Sequence, residues 1–526
     1  MADLCPHGML PLAWASMAGS ATGAVPALGL IVLFGALSGY TLYLAALIAE
    51  AAPARFPGGT KKIHNSRVPP PGGATTAPRP PPPPPSAVQM PPPMAPPPPP
   101  PPPQAVVGAV AAGGAGQASE ALSSVWSKVG LPGARLVDVG VAALCFGCCV
   151  FYAAFAADLF HALAARVVNT VPRVAVLAAL LAGPVAPLCL GDDLSVLKYS
   201  SSAGLVGIAY TALFVVCEAL SRQRERGRAA RILAFEQSEA ASSAGGLLFG
   251  ASKEMPSSRE RVSWGAASWG FGGGPSFEPA APSYLYGNDA ALVGAPLGLG
   301  IPAFHVGPGT AVLASALVVA FLCHYNAIAY YRELRPGLDR KAVTPTRYAK
   351  VVAVALFGVG AVFAALLFGG RAAFGADAMP NVLNNFPPAS TAGALAKLGT
   401  GIAILSGFPL MFAGLKSALD EALSGAPSFT SPDSRARRLT HVALLSAIGL
   451  AAATASDDDV GTIIELLGST LGAAAVYVVP GVAAAASPAG TIPAIHRLLG
   501  AGVAGLGTAL GVFSTWQTLS NAGHGG

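Results

Sequence analysis

VVAFLCHYNAIAYYREL, from Val318 to Leu334, places polar side chains in the middle of a stretch otherwise fit for hydrocarbon. The apolar run from Thr310 to Tyr331 is long enough, at about 1.5 Å per helical residue, to cross a bilayer core of about 30 Å. Cys323, His324, Tyr325 and Asn326 interrupt it. Groups that ionise or hydrogen-bond persist at membrane depth where they face a cavity, another helix or a ligand. The run therefore reads either as a binding or ion pathway or as an interhelical hydrogen bond.

The rest of the chain has the same character. Of its 526 residues, 53% are hydrophobic and 11% charged, and mean hydropathy is +0.57; a soluble domain carries roughly 25% charged residues. This is the composition of an all-α polytopic membrane protein. A net charge of +6 over this length is too diffuse for a nucleic-acid face, which excludes that partner. Cys145, Cys148, Cys149, Cys189, Cys217 and Cys323 lie in or beside apolar spans, where thiols act as small hydrophobes. The spacing from Cys145 to Cys149 lacks further ligands at metal-binding distance in sequence, so neither a metal nor a cofactor is expected. Nor is an enzyme, since no nucleophile and base set emerges.

Apolar spans are expected at 8–22 and 24–49 within residues 1–50, and at 136–163, 174–190 and 199–220 within 134–220. Others are expected at 310–331, 351–368 and 392–415 within 307–418, and at 439–454, 460–484 and 495–516 within 438–517. That makes eleven, with a link at 419–437 and a tail at 518–526. Residues 51–133 hold a proline tract, 69–103, whose lost donors and preference for polyproline II keep it outside the bilayer without a core. It reads as a largely disordered cytoplasmic loop: a dock for SH3, WW or profilin-like modules, or a tolerated low-complexity insert. Residues 221–306, rich in Gly, Ser, Pro and Trp, read as a second long loop, also largely disordered.

Loop charge sets the sides. Arg332, Arg335, Arg340, Lys341, Arg347 and Lys350 crowd one short loop, which is cytoplasmic, whereas Ser456 to Asp459 carries no cation and is exterior. Alternation then puts 51–133 and 416–438 inside and 221–306 outside, although the arginines at 222, 224, 226, 228 and 231 argue the other way. Glu465, a lone carboxylate in its span, reads as packing or interfacial rather than as a proton relay.

Phe321-x-Cys323-His324, followed by Tyr331-x-Glu333-Leu334, resembles the sixth transmembrane helix of the amino acid/auxin permease family, especially the branch of sodium-coupled neutral amino acid transporters. Further words follow in family order. Gly8-Met9-Leu10-Pro11-Leu12-Ala13 resembles the first-helix motif, and Pro187-Leu188-Cys189-Leu190 with Tyr199 and Ser201 resembles the junction of helices four and five. Ser406-Gly407-Phe408-Pro409 is similar to the eighth helix, and Leu467-Gly468-Ser469-Thr470 with Pro480 to the tenth. The resemblance implies an inverted-repeat, amino acid transporter-like fold, five helices mirrored by five with one appended. Because the family's motif follows a half-helix and a polar tail, and seven residues stand before Gly8, the expectation is either a trimmed first helix or a sequence that is incomplete at this end.

The resemblance further implies a substrate at the midplane between broken first and sixth helices, where freed backbone groups and half-helix ends meet a ligand's charges. Backbone at Gly8, Met9 and Leu10 would receive a carboxylate, and carbonyls near Phe321, Leu322 and Cys323 an ammonium, with His324 and Asn326 shaping the pocket. Thr400 and Ser406, together with His324, would serve ion coupling. The implied function is secondary active transport of small neutral amino acids, coupled to protons or sodium, in a plasma or vacuolar/lysosomal membrane, with lipids as surroundings. A sensor or scaffold that kept the pocket without transport is the alternative.

Overall fold

In hydrocarbon every backbone polar group must be satisfied internally, and the computed structural model consists of helices with no strands among the described residues. It describes residues 12–16, 22–51, 122–168, 171–191, 197–247, 303–337, 344–423, 434–455, 463 and 465–524. Gly8, Met9, Leu10 and the proline tract 69–103 lie outside these residues.

Nine helices among them are long and apolar enough to cross a membrane. After a short piece of the expected first span, α1 (Leu12–Ala15), come α2 (Ala24–Ala51), a short α3 (Leu122–Lys128), α4 (Ala134–Ala164), α5 (Arg173–Leu190) and α6 (Leu197–Leu247). The next span is in two pieces, α7 (Pro308–Ala320) and α8 (Ala327–Gly337). It is followed by α9 (Pro345–Phe374), α10 (Thr391–Ala422), α11 (Ser434–Thr454), α12 (Glu465–Ala485) and α13 (Ala494–His524). In α11 the apolar run, Arg438–Thr454, is shorter than in the nine.

Local chemistry sets the boundaries. Pro26 sits in the first turn of α2, where a missing N–H costs nothing, and Pro53 follows its end. Thr344 and Ser390 cap α9 and α10, accepting from the N–H groups of Arg347 (3.4 Å) and Gly393 (3.0 Å). Pro184 inside α5 removes a ladder donor, and the helix widens there into a π turn, Leu181–Val185. The buried residues of α2 recur as Ala27, Ile31, Phe34, Ser38, Thr41, Ala45 and Ile48, alternating steps of four and three that make one stripe.

The helices pair in a repeating way. α4 packs on α10, α2 on α9, and α1 on α7. α6 packs on α9 and α10, while α12 packs on α2 and α4. Exchanging each of α1, α2, α4, α5 and α6 with the span five places later turns these contacts into one another, as an internal two-fold requires. Small residues allow the closest approach: a Cβ on Gly207 of α6 would lie 2.5 Å from the carbonyl oxygen of Gly399 on α10.

Two expected loops are partly folded. α6 has 51 residues, about 76 Å of helix, so residues 221–247 are helical rather than part of a structureless loop. Its arginines have partners: Arg226 donates to the carbonyls of Ala372 (3.2 Å) and Ala373 (3.1 Å) at the end of α9, and Arg222 pairs with Glu218 (2.9 Å) and lies 4.6 Å over the Phe374 ring. Guanidinium capping of a helix end thus accounts for basic residues at the membrane end opposite the loop rich in Arg332 to Lys350. α3 lies within the expected 51–133 loop, burying Leu122, Ser123 and Val125; Lys128 Nζ donates to the Ala49 carbonyl (3.2 Å) and Trp126 Nε1 to that of Pro132 (2.8 Å).

Candidate functional site

The helix break falls where the polar run stands. α7 ends at Ala320; Phe321 (φ −93°, ψ 14°) and Cys323 (φ −146°, ψ 12°) leave helical geometry, and a 3₁₀ turn, His324–Asn326, leads into α8. Backbone bonding across it is of the tighter three-residue kind, with Leu322 N–H to Val319 O (3.0 Å), Asn326 N–H to Cys323 O (3.2 Å) and Ala327 N–H to His324 O. Phe321 and Leu322 are fully buried, and Cys323, His324 and Tyr325 nearly so.

Each side chain of the break goes to a different neighbour. Phe321 points between α2 and α9, edge-to-face with Phe363 (5.1 Å) and against Gly35 and Gly360. Tyr325 packs on Gly414 of α10. Asn326 Nδ2 donates to the Tyr330 hydroxyl (3.3 Å). His324 turns to α2, its Nε2 2.8 Å from Thr41 Oγ1 and 3.3 Å from the Ser38 carbonyl.

A carbonyl oxygen only accepts, so in the neutral ring the hydrogen sits on Nε2 and Nδ1 keeps its lone pair. Nδ1 is buried and has no hydrogen-bond partner among the described residues. It is thus an acceptor held ready at a helix break, able to take a proton or a donor from a ligand. The Ser38 hydroxyl is 3.3 Å from the Tyr477 hydroxyl on α12, which stands edge-to-face with Phe34. Ser38, Thr41, His324 and Tyr477 therefore form one buried polar chain across three spans.

The expected eighth-span residues lie elsewhere in the hydrogen-bond pattern. Ser406 donates to Ile402 O (2.7 Å) in its own helix, and Thr400 is 2.9 Å from Thr211 of α6, whose hydroxyl also reaches Ala396 O (3.1 Å). His324 is joined to α2, Thr400 to α6 and Ser406 to its own backbone, so the three expected ion-coupling residues share no hydrogen bond. Tyr477 stands in the tenth-helix resemblance without a role assigned to it, and Ser38, Thr41 and Thr211 were not singled out from the sequence, though Ser38 and Thr41 stand mid-span in the buried stripe of α2, the signal that marked His324.

Near the expected first-helix motif, Ala13 packs on Gly370 of α9, where an added Cβ would come within 2.7 Å of the alanine's own. Arg371, buried, donates to the Thr22 carbonyl, and Gly23 N–H bonds His305 O at 2.8 Å. These ties hold the start of α2 against the end of α9 and the entry to α7.

Fold and site define a multi-pass helical membrane protein organised around a broken span. Residues 308–520 match the family model described as transmembrane amino acid transporter protein. The match begins at the first residue of α7 and ends within α13, so it is this part of the chain that is similar to that family. No curated protein matches the chain.

Proposed function

We propose that the chain is a secondary active transporter of small neutral amino acids, of the kind coupled to protons or sodium, with the substrate held at the break between α7 and α8. The observation that carries the reading is the break itself: a membrane-spanning helix interrupted at Phe321 to Asn326, with the buried Nδ1 of His324 lacking a partner, inside the region that matches transmembrane amino acid transporters. An unwound turn supplies carbonyls suited to an ammonium group, and in the resemblance to the family the backbone of Gly8 to Leu10, outside the described residues, is the partner for the carboxylate of the same molecule. Thr400 with Thr211, and Ser406, are the hydroxyls offered to a sodium ion; His324 is the group offered to a proton.

The test is uptake of the twenty amino acids by the full-length protein in proteoliposomes, with pH and sodium gradients imposed separately, against His324→Ala and Ser406→Ala. Uptake of a small neutral amino acid that one gradient drives and one variant abolishes is the expected result. Absence of uptake or binding of any amino acid would leave the sensor or scaffold reading in its place.

A further inference from the structure

A cavity of about 440 Å³ lies where α4, α5 and α10 end on the side of residues 375–390, lined by Asp158, His161, Arg173, Asn384, Phe386 and Lys397. Its positive groups are not equally matched. Arg173 pairs with Asp158 (2.5 Å) and donates to Ala452 O, and Arg166 beside the cavity donates to the carbonyls of Ser390 and Ala389. Lys397, two turns into α10, is 8% exposed and has no hydrogen bond or ion pair with any described residue; the charge acting on it is the like charge of Arg166.

A half-buried ammonium on a cavity wall without a counter-charge is costly to keep charged, and that cost falls when an anion enters beside it. The cavity is more than ten times the roughly 30 Å³ share of a water molecule, hence too large for a bare halide alone and within the range of small organic ligands. Phe386 offers an apolar wall, while Asp158 and Asn384 offer oxygens to a donor.

We propose that this cavity is a second amino acid site, outside the midplane, in which the ammonium of Lys397 binds the substrate's carboxylate and Asp158 and Asn384 accept from its amino group. The proposal rests on the amino acid transporter reading and adds to it a place where the molecule waits before reaching the break. Ala455 also lines the cavity, and the run Asp457 to Asp459 follows it in sequence outside the described residues, so the chain's own carboxylates are the competitor to be tested.

The experiment measures binding of the twenty radiolabelled amino acids, and of their C-terminal amides, to the purified full-length protein, wild type beside Lys397→Gln, Lys397→Arg and Asn384→Ala. The expected result is about two molecules of the transported amino acid bound per chain in wild type and Lys397→Arg, about one in Lys397→Gln, at least tenfold weaker binding of the amide at the lost site, and weaker binding there in Asn384→Ala. Equal stoichiometry in wild type and Lys397→Gln, with both proteins folded, overturns the proposal while uptake still supports the transporter reading. If no amino acid binds the wild type, the transporter reading fails. Thermal stabilisation by sodium acetate over sodium chloride, present in wild type and absent in Lys397→Gln, then still upholds a carboxylate site, and its absence removes that too. A tenfold gain in binding on changing all of Asp457, Asp458 and Asp459 to Asn assigns the cavity to the chain's own acidic run and overturns the proposal.

Discussion

His324 can be divided by substitution into its two nitrogens. Glutamine carries an amide that can donate toward Ser38 O and Thr41 as Nε2 does, but it does not titrate. If the ring carries the coupled proton, His324→Gln folds and binds amino acid yet loses at least about tenfold of the uptake driven by a pH gradient, a loss of about 1.4 kcal/mol in the driving step. Unchanged pH-driven uptake in that variant removes His324 from the proton path. Tyr477→Phe deletes the hydroxyl beside Ser38; membrane-buried hydrogen bonds average about 0.6 kcal/mol, so only a small drop in thermal midpoint is expected. A shift beyond what about 2 kcal/mol would give would mean that the polar chain acts as a unit.

The residues of the break were legible because a histidine and an asparagine cannot hide in hydrocarbon. Ser38 and Thr41 were not, and the reason is physical. Thr41 reaches the carbonyls of Leu37 and Ser38 at 3.1 Å, so its hydroxyl can satisfy itself within α2 and leave the span's hydropathy uninterrupted. Only the fold shows that the same oxygen is also a partner of His324.

Among the elements, the break between α7 and α8 has a rigid neighbour. A Cβ on Gly468 of α12 would lie 2.2 Å from the carbonyl oxygen of Ser315 on α7, so Gly468→Ala forces the two helices apart. Overpacking of this kind typically costs about 1–3 kcal/mol. Measured as the yield and thermal midpoint of detergent-purified protein, Gly468→Ala should fall well below wild type. Gly29→Ala, with nothing within 4 Å of the added carbon, should not. Equal behaviour of the two would mean that α7 and α12 do not pack as closely as described. The span at 199–220 is read from hydropathy, whereas the continuation of α6 through 221–247 and the short α3 fall in stretches expected to be loops. Hydropathy ends at Leu220, yet RQRERGRAARILAFEQSEAA is rich in helix-forming Arg, Glu, Gln and Ala, and propensity carries the helix on. α3 is seven residues in a Gly, Ala and Ser spacer, too short for any periodicity to show, and it owes its form to burial of Leu122 and Val125.

On the scale of the molecule, contacts that exchange between spans five places apart, together with loop charge, predict two halves of opposite orientation related by an axis in the membrane plane. In a cysteine-free background, single cysteines at Ala230 and Ala376 should react with a membrane-impermeant maleimide from one side of oriented vesicles, and cysteines at Ala342 and Ser424 from the other. Labelling of Ala230 and Ala342 from the same side would defeat that topology.

One further consequence belongs to α6. From Ser221 to Leu247 the helix continues past its span for about 40 Å, and its base is fastened to α9 through Arg226 and Arg222. A rod so fixed is a mechanical pointer: a tilt of about 10° between α6 and its surroundings would swing the tip by about 7 Å, a displacement that a distance-sensitive pair of fluorophores can follow. Small rotations inside the membrane, too slight to track where they arise, would be written in enlarged form outside it.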